Sequence, residues 1–81
     1  MAETPDIAVD FMDMTDDRRL WARAADVRRG FEPVVGGYAV VGDDDADPRA
    51  ARILAIRDDG LLHLEVLPGP LDAHRDVLAR A

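Results

Sequence analysis

Apolar and polar positions agree with turn chemistry most clearly between Ala50 and Gly69, AARILAIRDDGLLHLEVLPG, and this stretch predicts a β-hairpin. Asp58, Asp59 and Gly60 suit a three-residue loop in which the glycine takes a left-handed conformation. That loop sets Arg57 against Leu61. The register then faces Ile56 with Leu62, Leu54 with Leu64 and Arg52 with Val66 on one side, and Ala55 with His63 and Ile53 with Glu65 on the other. A hairpin with one greasy face needs a covering layer or a closed sheet, which the rest of the chain must supply.

Upstream, Phe31 to Gly42 holds two short apolar runs divided by Gly36 and Gly37. Pro33 has no ladder donor, so the first run begins at an edge, and the glycine pair marks a tight turn or barrel corner. Asp43 to Pro48 is a charged loop. Residues 18–30 fit two patterns. As a helix, Thr15 caps the start, Leu20, Ala24 and Val27 form a stripe, and Gly30 ends it. As a strand, Leu20, Ala22 and Ala24 alternate with Trp21, Arg23 and Ala25. The strand is preferred, because a barrel needs more strands than residues 31–67 provide. Residues 1–17 form an acidic arm in which Ile7, Val9 and Phe11 alternate like an edge strand while Ile7, Phe11 and Met14 share a helix face; a disordered terminus, a docking segment and an integral strand all fit. After Pro68-Gly69-Pro70, Leu71 to Arg80 reads as a short helix with Leu71, His74 and Leu78 on one face.

The expectation is one mainly β domain over residues 18–81, preceded by the arm, with a short C-terminal helix. With 81 residues and no Cys, the chain buries only about 60% of its unfolded surface, so closure into a small barrel or association with another chain must stabilise it. No apolar run nears the roughly 18 residues of a membrane span and the start lacks a signal-peptide pattern, which reads as a cytoplasmic protein.

Composition narrows the chemistry. There is no Lys, Ser, Cys, Asn or Gln, so covalent catalysis is left with the hydroxyls of Thr4, Thr15 and Tyr38, and the inventory points away from an enzyme. His63 and His74 have no assured catalytic neighbour and read as structural. Asp43, Asp45 and Asp47 copy the opening ligand positions of a calcium loop, but Pro48 replaces the turn glycine and Leu54 the closing glutamate, so no metal or other cofactor is expected.

Net charge is −7, yet residues 1–17 carry six acids and no base while residues 18–42 carry five Arg against Asp26 and Glu32. Arg18, Arg19, Arg23, Arg28 and Arg29 interleave with Trp21, Phe31 and Tyr38, the combination that holds single-stranded nucleic acid, against the competing reading that the arginines cover core aromatics or pair with the arm. The overall charge disfavours nucleic acid. Candidate binding residues are therefore Ile7, Phe11 and Met14 of the arm with Arg18, Arg19, Trp21, Arg23 and Tyr38, engaging a protein partner or a second copy. Single-strand binding, or an acidic protein that mimics DNA, are the alternatives.

Ala25 to Leu67, with ADVRRG, VVGGYAVV and ARILAIRDDGLLHLEVL, resembles the small SH3-like barrels found in short proteins of high-GC bacteria. The resemblance implies a barrel fold and a binding role, with Phe31 standing where many such barrels carry Asp after the turn glycine.

Overall fold

A computed structural model describes residues 5–43 and 47–80. The described chain forms a five-stranded, curled half-barrel sheet and one short C-terminal helix. The strands are β1 (Ile7–Ala8), β2 (Arg19–Arg23), β3 (Tyr38–Gly42), β4 (Arg49–Ile56) and β5 (Leu61–Val66), and the helix is α1 (Arg75–Arg80). Their order in the sheet is β1-β3-β4-β5-β2, with β1 parallel to β3 and the other pairs antiparallel. The chain itself ties the two ends of the sheet together. After β2 a 3-10 turn at Ala24–Asp26 leads to Val27, which bridges Ile7, and the Arg28 amide donates to the Asp6 carbonyl at 2.7 Å.

The β4–β5 hairpin turns as its sequence predicts. The Arg57 amide donates to the Leu61 carbonyl at 2.8 Å, and Gly60 sits at φ 89°. Ile56 faces Leu62 and Ala55 faces His63 as expected, but a bulge then leaves Leu54 without a partner. Below it Ile53 faces Leu64, Arg52 faces Glu65 and Ala51 faces Val66, one residue away from the predicted register. A single extra residue flips the side-chain parity of the strand that carries it and leaves its partner unchanged. So Leu62, Leu64 and Val66 point inward as predicted, whereas Ile53 takes the core position expected for Leu54, and Arg52 turns outward. Ile56, expected inside, is 40% exposed because it lies at the hairpin's tip, beyond the packed core.

Residues 19–23 form a strand because long-range pairing with β5 outweighs their helical propensity. Leu20 and Ala22 are buried opposite Leu64 and Leu62. At the N-terminal end, the strand is the reading that the sheet contains. Ile7 is completely buried, with the Asp6 amide donating to Val40 at 2.7 Å and the Val9 amide to Gly42 at 2.9 Å. The Asp6 carboxylate fastens this entry by accepting from the Val40 amide at 2.9 Å and from the Arg28 guanidinium at 2.8 Å.

Ile7, Leu20, Ala22, Ala39, Val41, Ala51, Ile53, Leu62, Leu64 and Val66 make the core, with the partly buried Val9, Phe11, Met14, Val27 and Phe31 packed against it. The expected terminal helix begins as a 3-10 turn at Leu71–His74 and continues as α1. It covers the opposite face of β3 and β4, where Ala50 and Leu71 are buried.

Candidate interaction surface

Alternation along β2, β5 and β4 turns every second residue away from the core. Arg19, Trp21 and Arg23 project outward from β2 because Leu20 and Ala22 point in. Cross-strand pairing then builds three rows: Arg19, Glu65, Arg52 and Tyr38; Trp21, His63 and Ala55; Arg23, Leu61 and Arg57. Neighbours in a row lie about 5 Å apart at Cβ, close enough for their side chains to act together.

Trp21 is the centre of this surface. Its indole stacks on His63 with ring centroids 4.3 Å apart and planes 8° from parallel, and the Arg57 guanidinium lies 5.9 Å from its centroid. The stack follows from the ladder. The Val66 amide donates to the Arg18 carbonyl at 2.8 Å and the Ala24 amide to the Gly60 carbonyl at 2.9 Å, so even-numbered residues of β2 exchange hydrogen bonds with β5. Trp21 and His63 are therefore a non-hydrogen-bonded pair, the kind that brings opposed side chains closest. Even so, Trp21 remains 49% exposed.

Much of the positive charge here is matched locally. Arg19 lies 3.6 Å from Asp17, and Arg57 lies 3.0 Å from Asp59. The Thr15 hydroxyl, bonded to Asp17, holds that carboxyl below its ordinary value, opposed by slight desolvation and helped by Arg19. Among the described residues, Arg23 and Arg52 make no ion pair within 4.0 Å.

Of the candidate binding residues, Arg19, Trp21, Arg23 and Tyr38 share this outer face. Ile7 lies in the core, while Phe11 and Met14 are half-buried against it, so these three hold the fold together. Arg18 occupies the bend before β2 at φ 65°. Arg52, Arg57 and His63 join the surface without having been marked by sequence, since only the bulged register turns Arg52 outward, and only cross-strand pairing brings His63 and Arg57 to Trp21.

Beside β2 the half-barrel is open. A cleft of about 550 Å³ runs between Trp21, Ala22 and Arg23 on one side and Ala8, Val9, Asp10 and Asp13 on the other, with Asp26 and Leu61 also lining it. The calcium-like motif is only partly visible: Asp45 lies outside the described residues, and the Asp43 carboxylate accepts the Phe11 amide at 3.4 Å. No helix among the described residues is long and apolar enough to cross a membrane. No family profile, curated protein or solved structure matches the chain.

Proposed function

We propose that this chain is a non-enzymatic protein-interaction module on an SH3-like half-barrel, and that the outer face of β2, β5 and β4 is its contact surface. The observation that carries the reading is the half-exposed Trp21, held in place by His63 on one face and Arg57 nearby. A free indole in water loses entropy when a partner immobilises it. One already stacked has lost most of that freedom, and Trp, Tyr and Arg dominate the energetics of protein interfaces. Arg23, Arg52 and Tyr38 surround this anchor with groups able to meet acceptors and carboxylates of a protein partner.

Arg19 and Arg57 are each paired with a neighbouring Asp, so Arg23 and Arg52 are what this face offers a phosphate backbone, on a chain whose net charge of −7 repels one. That favours a protein over nucleic acid. The test is affinity capture from the native cell with wild-type protein and with Trp21→Ala, alongside titration of a fluorescent oligothymidylate at two salt concentrations. Retention of a defined protein by wild type alone supports the reading. Tight oligothymidylate binding with a steep salt slope overturns it in favour of a single-strand binder.

A further inference from the structure

Because even-numbered residues of β2 bond to β5, the main-chain groups of Arg19, Trp21 and Arg23 point away from the sheet, and Trp21 and Arg23 line the open cleft. The two ends of this edge are occupied. Thr15 accepts the Arg19 amide through its hydroxyl at 3.1 Å and donates its own amide to the Arg19 carbonyl at 2.8 Å, while the Asp26 carboxylate accepts the Arg23 amide at 3.4 Å. Between them the Trp21 N–H and C=O have no partner among the described residues. An edge guarded at both ends and open in the middle is suited to short strand addition.

From this open edge we infer that the cleft binds a short, extended, basic segment of a protein partner by strand addition onto Trp21. The inference rests on the proposed interaction role and specifies how the partner is held. Its central residue exchanges both main-chain hydrogen bonds with Trp21 and turns its side chain toward the outer face. The residues on either side turn into the cleft, between Ala22 and Val9, where Asp10, Asp13 and Asp26 line the walls; because Thr15 and Asp26 already hold the places opposite Arg19 and Arg23, the segment spans three residues. The charge of the occupant follows from the walls. Asp10, Asp13 and Asp26 line the cleft against the single base Arg23, and the chain as a whole is −7, so Lys or Arg is favoured at the ends of the segment.

The probe is the synthetic peptide acetyl-Lys-Ala-Lys-amide, titrated at low salt into the ¹⁵N-labelled full chain and followed by amide shifts and hydrogen exchange. In the free protein the Trp21 amide should exchange far faster than those of Leu20 and Ala22, and saturating peptide should slow it about tenfold or more. N-methylation of the central alanine removes the donor to the Trp21 carbonyl and should weaken binding about tenfold. A third peptide with Glu in place of both Lys should bind more weakly still. Equal binding of the N-methylated peptide, an unchanged Trp21 amide, or a preference for the Glu peptide each overturns the inference. Protection of Trp21 that rises with protein concentration alone would assign the edge to a second copy, which also overturns it. Arg52→Glu separates the two readings: it should abolish capture of the native partner yet leave the peptide's effect on Trp21 unchanged. Loss of capture in that variant, with no peptide effect in wild type, would sustain the outer face and reject strand addition.

Discussion

The bulge at Leu54 makes a demand that two substitutions can measure. Ile53 is 1% exposed and packs among Leu64, Leu20 and Ala51, whereas Leu54 is the unpaired residue and only half-buried. Truncating a core Ile removes its transfer free energy and leaves a cavity, together about 3 kcal/mol. For a domain of this size each kcal/mol lowers Tm by about 4–8 °C, so Ile53→Ala should melt about 12–24 °C below wild type. The total stability expected of an 81-residue chain is about 4–12 kcal/mol, so the variant stands near the edge of folding. Leu54→Ala removes contacts on one side only and should cost about 1 kcal/mol. Urea unfolding followed by circular dichroism supplies the comparison, with Leu64→Ala as the matched core control. A larger loss for Leu54→Ala than for Ile53→Ala would show that the hairpin is regular and the bulge is wrong.

Gly60 sits at φ 89°, and a Cβ there would lie 3.3 Å from that of Ala24, so Gly60→Ala should destabilise by about 1–2 kcal/mol in the same unfolding assay. Ile7→Ala should cost about 2–4 kcal/mol despite lying near the N-terminus, because Ile7 is completely buried between β3 and Val27; a change under about 0.5 kcal/mol in urea unfolding would make β1 dispensable. Asp17 has its carboxyl lowered by Thr15, so the folded state favours the charged form; the resulting stability is present above the ordinary value of 3.8 and is lost as pH falls through the lower folded value. In an NMR titration the Asp17 midpoint should lie below 3.8 and move upward in Thr15→Val.

The turn chemistry of Asp58 to Gly60 and the alternation of Leu62, Leu64 and Val66 were legible because both are local, and the structure has both. The bulge was not. Ile53 and Leu54 are both aliphatic, so the pattern contains nothing to say which is supernumerary; the choice depends on the turn leading into β3, since the Gly36 amide donates to the Ile53 carbonyl and the Ile53 amide to the Gly37 carbonyl, at 2.8 and 2.9 Å. The arm over residues 1–17 fits three readings because the burial of Ile7 depends on a parallel strand far along the chain and on Val27 returning from β2. Sequence marks an Arg and aromatic block over residues 18–38, and alternation alone puts Arg19, Trp21 and Arg23 of it on one face. His63 reaches Trp21 only through the long-range pairing of β2 with β5, Arg52 turns outward only through the bulge, and Arg57, though set against Leu61 by the local turn, joins that face only because β2 lies beside β5.

The central claim is that Trp21 anchors a protein partner, and the direct measurement is quantitative affinity capture by wild type, Trp21→Ala and Arg52→Glu, each first shown by circular dichroism to be folded. Trp21 is 49% exposed and outside the core, so its replacement should leave the fold intact. Capture of one defined protein by wild type, lost about tenfold or more in both variants, is the predicted result, as expected of an aromatic anchor and its neighbouring Arg. Equal capture by all three folded proteins would contradict the account.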